Sequence, residues 1–133
     1  MAKTFITWEQ IEKACDEITN WVLSSDIKFR GIWAPPRGGL IPAVMLSHKT
    51  GLKLFDEPRV RPLLLIDDIA DTGNTLKSFK NLEDVHIVTI HYHKQSVTIP
   101  EKWVYEKKDE WIVYPWELKE SKEIQDYLKQ EEM

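Results

Sequence analysis

The chain is poor in cysteine, in excess basic charge and in long apolar runs. Its single cysteine, Cys15, excludes an internal disulfide and a cysteine-built zinc site. No apolar stretch approaches the roughly 20 residues that cross a bilayer, and the N-terminus does not read as a secretory signal. A soluble, cytoplasmic protein with no membrane partner is expected. A net charge of -4 and a pI near 5.6 have the wrong sign for a chain whose main partner is nucleic acid. No DNA-binding motif is present either, which disfavours a transcriptional regulator. Repeats, low-complexity tracts and linkers are missing, so residues 1–133 are read as one domain. Apolar and aromatic material is not scarce: 42% of residues are hydrophobic, and six are tryptophan. An indole N–H is costly to bury without a partner, so some of these rings are expected to line a pocket or an interface.

The periodicities alternate between strand and helix. "ITWEQI" opens a helix: Thr7 and Gln10 have capping-box spacing, and Ile6 with Ile11 can form the hydrophobic staple. Ile11, Ala14, Cys15, Ile18 and Val22 then share one face, and the helix is expected to end near Ser24–Asp26. "FRGIWA" reads as a strand entering the turn "PPRGG". "LIPAVMLSHKTG" reads as a helix stopped by Gly51, and "LKLF" as a short strand. "LLLID" is a continuous apolar run, as in a strand buried on both faces. "GNTLKSFKNL" reads as a short helix and "VHIVTIHY" as a strand. "KWVYEK" and "EWIVY" read as shorter strands, and the charged tail from Trp116 as a helix. This order predicts an α/β domain with a mainly parallel twisted sheet flanked by helices. Ligands of such sheets bind beyond the carboxyl ends of the strands, where "PPRGG" and "DDIADTGNT" fall.

The second loop carries the stronger signal. Asp67 and Asp68 are read at the end of an apolar strand, where unpaired charge is costly. Carboxylates only accept hydrogen bonds, so the pair suits a ribose diol or a hard cation. "DTGNT" then runs into a helix. Gly73 frees the backbone, and N–H groups with the hydroxyls of Thr72 and Thr75 can surround a phosphate. A pentose phosphate has both halves. Helix capping would account for Asp71 or Thr72 alone, but not for two further acids. In "PPRGG", Arg37, Gly38 and Gly39 suit a second anion. By itself this stretch reads better as an ordinary Pro/Gly turn with a solvated arginine. The histidines of "VHIVTIHYH" have no fourth ligand at zinc spacing, and His91 and His93 read as alternating strand residues.

Together the two loops resemble those of the type I phosphoribosyltransferases, and most of all the short purine branch, the xanthine–guanine and hypoxanthine enzymes. "LLLIDDIADTGNTL" resembles the signature for phosphoribosyl diphosphate (PRPP), "APPRGGLIPA" the pyrophosphate loop, and "DEWIVYPWE" a Trp-Ile-x-x-Pro-Trp-acid segment. The resemblance spans about Phe29 to Glu117 with the motifs in the family's order. It implies that Asp67 and Asp68 bind the ribose hydroxyls, with Asp68 also near Mg2+, and that Asp71 is the general acid/base beside the purine N7. It further implies that Thr72, Gly73, Asn74 and Thr75 cradle the 5′-phosphate and that Arg37, Gly38 and Gly39 hold pyrophosphate, with Pro36–Arg37 in the cis form. Trp111 would stack on the base, Ile112 would offer backbone groups to its edge, and Glu117 is a second Mg2+ candidate. Core packing is the competing role for Trp111.

The sequence departs from the family at two places. Relatives carry a long mobile lid with a Ser-Tyr pair between the second and third strands, whereas only "DEPRVRP" separates Phe55 from Leu63 here. The expectation is a lid cut to a stub bearing Arg59 and Arg61, and a reduced hood over the site. Relatives also place a lysine after the fourth strand to read the purine's exocyclic oxygen; that position falls on His93, with Lys94 one residue on. The implied function is Mg2+-dependent transfer of phosphoribose from PRPP to guanine, xanthine or hypoxanthine, in a homodimer or tetramer. The alternatives are a PRPP- or nucleotide-binding protein without turnover, favoured by the missing lid, and a transferase for another base.

Overall fold

The computed structural model describes residues 2–118. In chain order these form β1 (Lys3–Phe5), α1 (Trp8–Ser24), β2 (Gly31–Trp33), α2 (Leu40–Thr50), β3 (Leu63–Ala70), α3 (Asn74–Lys80), β4 (Val85–His93), β5 (Lys102–Lys107) and β6 (Trp111–Val113). Local chemistry sets the boundaries. Thr7 and Gln10 close a full capping box at the start of α1, and Ile6 and Ile11 are buried together beside it. Gly51 ends α2 in the left-handed conformation, φ 79°. The tail expected to be helical lies beyond Leu118, outside the described residues, and Trp116 and Glu117 themselves sit in a turn and bend.

β2, β3, β4 and β5 form a parallel sheet in that order. "LKLF" contributes one parallel bridge, Leu54 to Ile32, rather than a strand. It is held by Ile32 N–H on the Lys53 carbonyl and Phe55 N–H on the Ile32 carbonyl. The chain therefore leaves β2 toward one edge and builds β3, β4 and β5 toward the other. The crevice where the direction reverses lies between β2 and β3. β1 was not foreseen; it pairs in parallel with β6 as a separate two-stranded sheet.

β3 shows why its apolar run is unbroken. Leu64 and Ile66 face a core that includes residues of α1 and α2, while Leu63 and Leu65 face Leu76 and Phe79 of α3. All four leucine and isoleucine side chains from Leu63 to Ile66 are fully buried. Both faces are covered, so the usual alternation disappears.

Candidate active site

The sheet does not stop at the acids. β3 continues to Ala70, which pairs with Tyr92, so Asp67 and Asp68 lie inside the strand rather than at its end and are only 7% and 8% exposed. Each carboxylate takes up the next backbone N–H: Asp67 Oδ1 accepts from Asp68 at 2.9 Å, and Asp68 Oδ1 from Ile69 at 2.8 Å. The ladder to β4 passes from Asp67 to Ile69 without pairing Asp68. The Asp68 carbonyl instead accepts from the Tyr114 hydroxyl at 3.0 Å. Tyr114 has one proton, given to Asp68, so its oxygen accepts from His91 Nδ1 at 2.9 Å. That fixes His91 as the neutral Nδ1–H tautomer. Burial, opposed by Glu110 and helped by Lys107, holds its ring pKa down to about 4. Burial and the neighbouring acids push the Tyr114 hydroxyl well up, so it stays a donor.

The "PPRGG" loop lies directly on these acids. A side chain at Gly38 would run into the Asp68 carboxylate, and one at Gly39 into the Ile66 carbonyl and Ala34. The Pro36–Arg37 peptide is cis, as the resemblance implied. Arg37 is exposed and makes no ion pair among the described residues. Pro35 and Pro36 share one cleft with Asp67, Asp68, Asp71, Thr72, Gly73 and Thr75, so the two loops singled out from the sequence line a single space.

The loop expected to hold a phosphate has a buttress that sequence reading missed. Gly73 adopts φ 81°, and any side chain there would collide with Ser96 and the backbone of Val97 and Thr98. Val97 N–H donates to the Thr72 carbonyl and Thr98 Oγ1 to the Gly73 carbonyl, both at 2.8 Å. The segment after β4 thus grips the carbonyl side of "DTGNT". Asn74 N–H meets Thr72 Oγ1 at 3.3 Å, and no internal hydrogen bond engages the Thr75 hydroxyl among the described residues.

The cluster around Asp71 is set by strand register. Ala70 pairs with Tyr92 and Tyr92 with Glu106; one step on, His93 pairs with Lys107. Side chains at equal height in neighbouring strands share a face, so Asp71, His93 and Lys107 meet. Lys107 Nζ donates to Asp71 Oδ2 at 2.8 Å and lies 5.4 Å from the centroid of the Trp111 ring, over its face. His93 Nδ1 is 3.2 Å from Asp71 Oδ1, but out of hydrogen-bonding alignment. Asp71 Oδ1, His93 Nδ1 and the Trp111 indole nitrogen are all buried without a hydrogen bond. Trp111 N–H and the Val113 carbonyl bond toward β1, so by strand alternation the backbone groups of Ile112 point away from it.

Two residues stand elsewhere. Lys94 is 80% exposed, with Nζ 3.6 Å from Glu106, and does not reach the Asp71 cluster. Glu117 accepts the Tyr114 N–H at 2.8 Å, closing its own turn. The described residues contain no group of three metal-binding side chains. The stub before β3 is turned on itself: Arg59 pairs with Asp56 and Glu57, and Arg61 with the carbonyls of Pro58 and Val60. Lys107 is the residue of the Asp71 cluster that sequence reading missed. Its only local signal was a charge closing a strand.

No family model matches the chain. The xanthine–guanine phosphoribosyltransferase of Chromohalobacter salexigens is 26% identical over an alignment of 136 positions, covering 85% of this chain and 83% of that protein. The crystal structure of a purine phosphoribosyltransferase from Pyrococcus horikoshii superposes with a TM-score of 0.78 at 26% identity, covering 93% of this chain and all of that one. A Helicobacter pylori xanthine–guanine–hypoxanthine phosphoribosyltransferase shares the fold at TM-score 0.74 and 17% identity, over 98% of this chain and 97% of its own. No helix of the described residues is long and apolar enough to cross a membrane. In sequence and in fold together, the chain is similar to the type I phosphoribosyltransferases, and among them to the short purine enzymes.

Proposed function

We propose that this protein transfers phosphoribose from PRPP to a 6-oxopurine and releases pyrophosphate. The observation that carries the reading is the shared cleft: two buried adjacent carboxylates, the loop residues Asp71, Thr72, Gly73 and Thr75, and the two prolines that open the glycine turn line one space. Beside it Asp71 keeps one buried oxygen without a hydrogen bond. The similarity to named purine phosphoribosyltransferases points the same way.

In this reading Asp67 and Asp68 hold the ribose hydroxyls. The backbone of Thr72, Gly73, Asn74 and Thr75 takes the 5′-phosphate, and Arg37 with the N–H groups of Gly38 and Gly39 takes pyrophosphate. The base lies against Trp111, its edge on the outward backbone groups of Ile112, and one nitrogen attacks C1 as pyrophosphate leaves. Asp71 Oδ1 receives the proton of the ring nitrogen that loses it. The protein contributes position and directed charge. Asp68 with phosphate oxygens is a fitting donor set for Mg2+, which commonly binds through one or two carboxylates plus substrate phosphates. When bound, the ion would neutralise charge on the departing pyrophosphate. Glu117 is the weaker second contact, since one of its oxygens already serves Tyr114.

One observation favours a second reading, a PRPP-binding protein with little turnover. The seven residues from Asp56 to Pro62 spend their arginines on themselves and offer no long segment to exclude water. Incubation with PRPP, Mg2+ and guanine, xanthine, hypoxanthine, adenine, uracil or orotate separates the readings. Nucleotide formation from the oxopurines at ordinary turnover rates is expected. Tight PRPP binding with no product from any base would establish the second reading, and product from a pyrimidine alone would change the acceptor.

A further inference from the structure

We propose that Tyr114, itself held by His91, is a positioning residue: its hydroxyl replaces the strand pairing that β3 lacks at Asp68 and holds that carboxylate at the cleft. The inference rests on the PRPP reading above for its ligand, and on backbone geometry for the hold itself. β2 ends with Trp33, paired to Leu65, so from Ile66 onward β3 has a strand on one side only. The ladder to β4 then runs from Asp67–Thr89 to Ile69–His91 and leaves Asp68 out. A buried backbone group without a partner is costly. Both backbone groups of Asp68 are satisfied by side chains instead. Its N–H donates to the Asp67 carboxylate at 2.9 Å, and its carbonyl accepts from the Tyr114 hydroxyl at 3.0 Å. Tyr114 follows β6, so the second of these comes from outside the main sheet.

Tyr114 is anchored independently of Asp68. Its own N–H donates to Glu117 at 2.8 Å, and its ring stacks on Trp116 with centroids 4.9 Å apart and planes 2° from parallel. Trp116 rests in turn on Trp8 of α1 at 5.9 Å. The hydroxyl oxygen accepts from His91 Nδ1 at 2.9 Å, and the buried imidazole crosses the tyrosine ring at 66°. A ring packed on an indole and crossed by an imidazole has the direction of its hydroxyl fixed. On the cleft side, Asp68 Oδ1 takes the Ile69 N–H at 2.8 Å, and a side chain at Gly38 would strike the same carboxylate. The carboxylate is bounded by one hydrogen bond and one wall, so a shift of the Asp68 backbone disturbs it at once. Asp68 lines the cleft and Tyr114 does not; the tyrosine acts through the acid. In the Trp-Ile-x-x-Pro-Trp-acid pattern Tyr114 stands at an open position, and His91 reads only as a strand residue, so the resemblance assigns neither of them a role.

The test compares Tyr114→Phe in the full chain with wild type and with Gly51→Ala, whose added side chain meets nothing. Phenylalanine keeps the stack on Trp116 and removes only the hydroxyl. Amide hydrogen exchange, followed residue by residue, reads the hold without any ligand. Tyr114→Phe is expected to speed exchange at Asp68 and Ile69 about tenfold or more, the scale of one hydrogen bond. The amides of Leu64 and Ile66 are expected to change no more than in Gly51→Ala. An even rise along β3 would make Tyr114 merely structural and overturn the proposal. If Tyr114→Phe does not fold, His91→Leu keeps the hydroxyl and removes its donor; a smaller rise at the same two amides is expected, and no rise there overturns the proposal. The ligand arm is a PRPP titration with Mg2+ in a double-mutant cycle. Tyr114→Phe is expected to weaken PRPP about tenfold beside intact Asp68, and to add nothing in Asp68→Asn. Equal weakening in both backgrounds would show that Tyr114 does not act through Asp68, and undiminished affinity in Tyr114→Phe would deny the hold a role at the cleft. Wild-type protein that binds no PRPP would lose the transferase reading, and the exchange result would then decide this proposal alone.

Discussion

Asp71 divides its carboxylate between two tasks. Oδ2 carries the buried Lys107 ammonium, and in the proposed reaction Oδ1 takes a proton from the base. Asp71→Asn keeps the shape and one oxygen for Lys107 while removing the proton acceptor. PRPP binding is expected to survive nearly intact while turnover falls by ~10²-fold or more, the usual scale for a general acid/base. Steady-state rates set beside PRPP titrations decide it, and an unchanged rate would remove Asp71 from the chemistry. His91 answers to pH instead. Burial first of all lowers its ring from an ordinary 6.5 to about 4. Between those values the unfolded chain binds a proton that the folded chain refuses, so the contribution is whole above pH 6.5 and drains away toward pH 4. At 1.36 kcal/mol per unit the loss is on the order of 3 kcal/mol. His91→Gln keeps a donor for Tyr114 and has no titrating ring, so its melting temperature is expected to fall less than wild type's between pH 7 and pH 4. Parallel curves would show that His91 does not govern this window.

At the scale of elements, the two left-handed glycines separate backbone cost from site cost. Gly51 (φ 79°) caps α2 with nothing near a would-be side chain, while Gly73 (φ 81°) caps α3 against Ser96, Val97 and Thr98. Gly51→Ala is expected to cost only the left-handed penalty, about 1–2 kcal/mol, and to leave PRPP affinity alone. Gly73→Ala should cost more and also weaken PRPP, because the buttress must move. Denaturant melts paired with PRPP titrations read both effects, and equal behaviour of the two variants would deny the buttress a role. The contrast also marks what the sequence disclosed. α1, α2, β3 and β4 were legible because their apolar periods and caps are local. β1 was not: its three residues are exposed, carry no apolar pattern, and gain a strand only from β6 near the far end of the chain. "LKLF" was overread because four apolar-rich residues promise a strand, and only Leu54 found a partner. Asp67 and Asp68 were placed at a strand end because charge usually marks one; the pairing of Ala70 with Tyr92 overrode that rule. Lys107 and Thr98 were invisible for a related reason, since each acts through a neighbour fixed by tertiary register.

For the whole molecule, the division of the chain at the crevice between β2 and β3 has a thermodynamic consequence. One wall is the "PPRGG" loop, the other is the end of β3 with the turn into α3, and each is anchored in the sheet without needing the other's ligand. A molecule bound to both walls ties two parts of the fold together and binds the native state alone. Such a ligand stabilises by RT ln(1 + [L]/Kd), about 2.7 kcal/mol at a hundredfold excess over Kd. The described residues supply no three-ligand metal group of their own, so a cation bound in the proposed reaction would depend on the phosphates for its remaining contacts. The melting temperature is therefore expected to stay unchanged with Mg2+ alone, to rise modestly with PRPP and chelator, and to rise most with both. Asp68→Asn should remove most of the difference between the last two conditions and, by loosening the ribose hydroxyls, also lower the PRPP-only rise. A full rise with Mg2+ alone would mean the protein holds the ion without substrate. Identical rises with and without the ion would detach Mg2+ from this site.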